Sequence, residues 1–121
     1  MKEFIRIMKA LSDPNRVRVL KLLQEGELCV CEIQQVLGLA QSTVSKHMKI
    51  LEESDLVHRR RRGSWILYSL AVKGDNPYAA TMLAHIRRWL EDDNELARMR
   101  DNLARTARGH DCDDLHKEDN G

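Results

Sequence analysis

The sequence predicts a mainly α-helical domain with a small β-hairpin. Apolar residues recur at three- and four-residue steps from residue 2 to residue 54, the helical signature. Two β-prone runs, 56–61 and 65–70, flank Arg62-Gly63-Ser64, which is a hairpin signal. A further helical stripe occupies residues 77–105. The 121 residues suit one domain, 1–105, followed by a polar, acidic tail, 106–121.

Each element has a local cause. Phe4, Ile5, Met8 and Leu11 share one face of a helix over 2–11. Ser12-Asp13-Pro14 stops it and starts the next, because Ser12 or Asp13 can accept from a free amide and proline lacks the N–H that would go unpaired at the first helical position. That second helix runs to about Gln24 and is broken by Glu25-Gly26-Glu27. A third, Cys29 to Leu37, carries Ile33, Val36 and Leu37 and ends at Gly38, a left-handed cap. In the fourth, 40–54, Val44, Met48 and Leu51 form the core face. Gln41, Ser42, Ser45, Lys46 and Lys49 spread over an arc of about 140° on another face, with Thr43 beside them. Two helices joined by a short glycine-bearing turn, the second offering small polar side chains near its start, predict a helix-turn-helix. The hairpin beside it makes the fold a winged one, with Arg59, Arg60, Arg61 and Arg62 at the wing tip. From Pro77 to about Arg105 a single long helix is expected, with Met82, Ile86, Trp89, Leu96 and Leu103 in near-heptad spacing interrupted at Asp93. Such a stripe packs on its own domain or on a second copy; the thin core of so small a domain, and the two-fold symmetry of palindromic DNA sites, favour the second copy.

The net charge of +1 hides a segregation. Residues 1–73 hold 13 Lys+Arg against 8 Asp+Glu, and residues 74–121 hold 7 against 11, so a +5 half joins a −4 half. Basic charge beside a helix-turn-helix points to phosphate. No apolar run approaches the roughly 20 residues of a membrane span, and the start, MKEFIRIMKALSD, lacks signal-peptide character, so a cytoplasmic protein without a membrane partner is expected.

Three cysteines, an odd number, argue against a disulfide framework. Cys29-Val30-Cys31 at a helix start reads either as a pair of small buried hydrophobes or as soft ligands for a thiophilic ion. Residues two apart in a regular helix point about 200° away from each other, so joint ligation is expected to require unwinding of that turn. His110, Cys112 and His116 form a second, weaker donor cluster in the tail.

The order of LSDPNRVRVLKLL, ELCVCEI, Gln41-Ser42-Thr43-Val44-Ser45-Lys46-His47 and a wing with Gly63 and Tyr68-Ser69-Leu70 resembles the ArsR/SmtB family of bacterial metal- and metalloid-responsive repressors, over residues 4–90. ELCVCEI is similar to the ELCVCDL segment of its arsenic-responsive branch. The resemblance implies a homodimeric repressor on double-stranded operator DNA, with Gln41, Ser42, Ser45 and Lys46 at operator-contacting positions and Arg59–Arg62 on the wing. It implies no constitutive cofactor; As(III) or Sb(III) on Cys29 and Cys31 is the inducer, with Cd(II), Zn(II) or Pb(II) as alternatives. Two departures stand out. Ala40 replaces a helix-capping serine, and Gln34 stands where a third cysteine is often found, leaving Cys112 or an exogenous thiol to complete the site. The zinc-sensing positions of the family correspond to Asn76, Tyr78, Trp89 and Asp92, a poor ligand set.

Rival readings are a repressor sensing oxidants or persulfide through the same thiols, a thiol enzyme, and a protein-binding winged helix. The enzyme reading lacks a C-x-x-C, a phosphate loop and a base partner, and a protein-binding face would not require the arginine tip. A non-enzymatic regulator is expected.

Overall fold

The computed structural model describes residues 1–106. Helix α1 (Lys2–Ala10) buries Ile7 and Ala10 and leaves Phe4 and Ile5 exposed. Asp13 then caps α2 (Pro14–Leu22), accepting from the amides of Asn15 at 2.8 Å and Arg16 at 3.3 Å, with Pro14 in the first turn. A 3-10 turn, Leu23–Glu25, and Gly26 lead into strand β1 (Leu28–Cys29). Helix α3 (Val30–Leu37) ends at Gly38, whose φ of 67° is the left-handed conformation a helix cap needs. Helix α4 (Gln41–Glu53) starts at Ala40 without a side-chain cap. Strands β2 (Val57–Arg62) and β3 (Trp65–Leu70) form the wing around Gly63, and α5 (Pro77–Arg88) and α6 (Asn94–Thr106) complete the described chain. This is a winged helix-turn-helix.

The core lies between α2, α3, α4 and the sheet. Leu20, Leu22, Ile33, Val44, Met48, Leu51 and Leu56 are fully buried within it. Val44, Met48 and Leu51 are the face that periodicity assigned to the core, and Gln41, Ser42, Thr43, Ser45, Lys46 and Lys49 are all exposed.

Three expectations need correction. First, the sheet has three antiparallel strands in the order β1-β3-β2, not two. Cys29 is not helical: it pairs across from Leu67 in β1 and serves as the N-cap of α3. Two residues carry no strand periodicity of their own, so only the partner strand makes them a strand. Second, the helix expected over 77–105 is two helices. Trp89 turns extended, Leu90 adopts φ 64°, and the Asp93 carboxylate accepts from Leu96 N–H at 3.0 Å to open α6. A left-handed leucine costs roughly 1–2 kcal/mol. Lys21 offsets that strain: its fully buried ammonium donates to the carbonyls of Ile86 at 3.1 Å and Trp89 at 2.7 Å and pairs with Glu91 at 3.2 Å, satisfying the open carbonyl end of α5.

Third, because of that break, the heptad stripe mostly packs on its own domain. Ile86, Leu96 and Leu103 are buried with Met99 in the core, and α6 folds back onto α2 and α3. Only Met82 and Trp89 retain exposure, Trp89 stacking on His85 with centroids 5.2 Å apart. The apolar surface that does remain open lies where α1 packs on α5. There Phe4 and Tyr78, 41% and 43% exposed, meet edge to face at 5.7 Å beside Ile5.

Candidate functional site

Two features meet at one cleft of about 590 Å³ between α3, α4 and the hairpin. Cys31 and Gln34 stand on one wall, and Gln41, Ser45 and Lys49 of α4 on another. Arg59, Ile66 and Tyr68 of the wing close it.

The cysteines do not diverge as a regular helix would require. Cys29 ends a strand with φ −87° and ψ 161°, and Cys31 lies in the first turn of α3. This change of backbone turns the two side chains toward each other, with the sulfurs 2.9 Å apart. The expected unwinding is therefore unnecessary, because one ion can bridge both sulfurs on the existing backbone. Trp65 and Leu67 cover the pair on the sheet side. The cap is reciprocal: the Cys29 sulfur faces the Glu32 backbone N–H, and the Glu32 carboxylate accepts from Cys29 N–H at 3.1 Å. Burial pushes the Cys29 thiol up to about 12; the Glu32 amide opposes that shift and the Glu32 carboxylate reinforces it. At neutral pH Cys29 is a protonated thiol.

The four arginines do not act as one tip. Strand alternation sends Arg59 and Arg61 to the face shared with Val57, and Arg60 and Arg62 to the face shared with Cys29 and Leu67. Arg59 pairs with Glu52 of α4 at 3.5 Å, beside a Tyr68 hydroxyl whose pKa is raised by burial and by Glu52. Arg60 forks onto Glu27, with contacts of 2.5 and 2.6 Å. That pairing, with Arg62 nearby, holds the Glu27 carboxyl below its usual range. Arg61 donates to the Gly63 carbonyl at 3.0 Å.

The remaining sequence candidates are accounted for. Cys112, His110 and His116 lie outside the described residues, as does all of the 106–121 tail except Thr106. Asn76 caps α5, accepting from Tyr78 and Ala79 amides, while Trp89 and Asp92 sit in the α5–α6 break. Among the described residues no group of three or more His, Cys, Asp or Glu is arranged to hold a metal ion, and no helix is long and apolar enough to cross a membrane. His47 is not merely on the surface: its Nδ1 accepts from Arg16 Nη1 at 3.2 Å, since a guanidinium can only donate. Arg16 also holds the Lys9 and Ala10 carbonyls, tying the end of α1 to α4.

Sequence reasoning passed over Glu27, Glu32, Glu52 and Lys21. Glu32 had a readable signal, an acidic residue three positions after an N-cap. The other three act across the fold and had none.

Comparison with known proteins agrees with this architecture. The family model "Bacterial regulatory protein, arsR family" matches residues 13–59, from the α2 cap to the wing. An arsenical resistance operon repressor of Bacillus subtilis (strain 168) is 32% identical over 71 residues, 58% of this chain and 68% of that protein. The chain belongs to the ArsR family. An arsenical resistance operon repressor of Staphylococcus xylosus resembles this ArsR-family chain at 44% identity over 69 residues, 57% of this chain and 66% of the relative. The chain spans between half and two thirds of the length of several such relatives. Among solved structures it is similar to the homodimeric winged helix-turn-helix DNA-binding domain of a possible ArsR-family regulator from Mycobacterium bovis. That likeness has a TM-score of 0.62 at 29% identity and covers 72% of this chain and 77% of the other. For this ArsR-family chain the comparisons point to DNA-binding regulators rather than enzymes.

Proposed function

We propose that this ArsR-family protein is a homodimeric transcriptional repressor released from operator DNA when As(III) or Sb(III) binds Cys29 and Cys31. One observation carries the reading: two converging sulfurs open α3, and Cys31 borders a cleft whose other walls are the exposed polar face of α4 and the wing. The relatives named as arsenical resistance repressors support the choice of ion. Gln41, Ser42, Thr43, Ser45, Lys46 and Lys49 face the major groove in this reading, and Arg59, Arg61 and Arg62 reach phosphates. Arg60, forked onto Glu27, is the wing arginine least available to DNA. The exposed Phe4, Ile5 and Tyr78 supply the dimer face.

Release follows from the cap. An ion that takes the Cys29 sulfur withdraws it from the Glu32 amide, and losing an N-cap costs a helix about 0.5–2 kcal/mol. That is comparable to the roughly 1–3 kcal/mol typical of coupling between sites. The affected helix, α3, is the first of the DNA-reading pair. In the reduced protein, two thiols and a third donor complete a trivalent centre. Cys112 or an exogenous thiol fills that third position, which Gln34 cannot.

The deciding experiment is a salt-resolved operator titration, with and without arsenite, on protein of dimeric mass by sedimentation. Affinity is expected to fall by about 10³–10⁵ between 50 and 200 mM salt if six to ten phosphates are contacted, and to fall again on adding arsenite. A near-flat salt response would refute the DNA reading. Indifference to arsenite would refute the inducer.

Proton balance separates the candidate inducers. Arsenous acid condenses with two thiols as As(OH)3 + 2 RSH → (RS)2AsOH + 2 H2O, so the thiol protons leave in water and no net proton appears. A divalent cation must expel them, as in Cd2+ + 2 RSH → (RS)2Cd + 2 H+. With Cys29 protonated up to about pH 12, cadmium affinity is expected to rise about 100-fold from pH 6 to 8 through this thiol alone. Arsenite affinity should stay within a few-fold over the same range. Calorimetry in buffers of different ionisation enthalpy reads the proton count directly.

A further inference from the structure

The sheet places the thiol segment and the wing in one mechanical unit. Cys29 pairs with Leu67, and Leu67 pairs with Arg60, so the three form one row across all three strands with their side chains on one face. Strand β1 is only two residues long, and its ladder alone is a weak tie between residues 28–29 and the wing. Glu27, the residue before the strand, adds a second tie. Its carboxylate receives both the Nε and Nη2 hydrogens of Arg60, a planar two-point contact that fixes orientation as well as distance. Both side chains retain solvent exposure, so the pair contributes little to stability; its effect is geometric.

We propose that Glu27 is the positioning residue of the wing: through its fork with Arg60 it makes the segment bearing Cys29 and the β2–β3 hairpin move together, so that inducer capture is transmitted to the wing as well as to α3. This rests on the repressor reading above. Any displacement of residues 27–31 on ligand binding then pulls Arg60, and with it the strand that carries Arg59, Arg61 and Arg62. Without the fork, the two-residue ladder transmits the displacement incompletely, and the wing keeps its DNA contacts when the inducer is bound.

The test uses the full-length chain and its upstream operator, with arsenite as the inducer. Operator Kd is measured with and without arsenite for the parent, Glu27→Gln, Arg60→Gln and the double variant. The parent ratio is expected to fall within the 5–150-fold range usual for coupled sites. Each single variant should lower that ratio at least about fivefold, toward unity where the parent ratio is small, and the double variant should lower it no further, because both changes break one contact. Arsenite binding to the DNA-free Glu27→Gln protein should stay within twofold of the parent, and its melting temperature should be unchanged, which a merely structural role would not predict. A parent-like ratio in Glu27→Gln would overturn the positioning role and leave the repressor reading intact. A parent that arsenite does not release would overturn both.

Discussion

A Cys31→Ser variant is expected to bind its operator within about threefold of the parent and to need more than about 100-fold more arsenite for release. The asymmetry follows from position. Cys31 lies in the first turn of α3 with its sulfur 2.9 Å from that of Cys29, yet it makes no ladder pairing and does not cap the helix. Serine keeps the size and loses the soft donor. Substitutions that only reorient a ligand already lower metal affinity 10–100-fold, so removing one of two thiolates should exceed that. Cys29→Ser should behave alike toward arsenite while keeping α3 capped, because serine is a favoured N-cap. Release assays with arsenite on all three proteins make the comparison, and parent-like release in both variants would remove the thiol pair from the mechanism.

The largest expected loss of stability belongs to Lys21→Met. Methionine fills a similar volume but cannot donate, so the Ile86 and Trp89 carbonyls lose their partner inside the protein. Hydrogen bonds to a charged group contribute about 1.5–3 kcal/mol each, and removing the buried charge returns part of that as relieved desolvation. A net loss of roughly 2–4 kcal/mol is expected, which at about 4–8 °C per kcal/mol lowers the melting temperature by something like 10–25 °C. Hydrogen exchange at residues 89–93 should rise before the rest of the domain, because Lys21 holds the turn that lets Leu96, Met99 and Leu103 reach the core. Equal stability of parent and variant in a urea titration would show that Asp93 and core packing hold the turn without it.

The legible parts of this fold were those with local causes. Asp13 and Pro14 announced the start of α2, and Gly38 the end of α3, because capping is a contact between neighbours in sequence. Val44, Met48 and Leu51 announced the buried face of α4 because a helix repeats every 3.6 residues. The break at Trp89–Asp93 was half legible. Asp93 could be read as a cap, but nothing near it reveals that a lysine 68 positions earlier will seat on the Trp89 carbonyl. The wing was legible as a hairpin, and its arginines as a cluster. Their division into two faces, with separate carboxylate partners, required the strand register and the neighbouring α4 and β1 segments.

The sequence by itself determined that this is a basic helix-turn-helix half joined to an acidic half, so a net charge of +1 conceals a +5 DNA-reading face. It also determined that two soft donors stand at the start of the first reading helix. Only the tertiary structure decided how those donors relate to each other. Helical geometry would have turned Cys29 and Cys31 apart, but pairing with β3 draws Cys29 into a strand, and the change from strand to helix between the two residues brings the sulfurs together. Strand pairing is a contact between residues about 40 positions apart, and local periodicity carries no record of it.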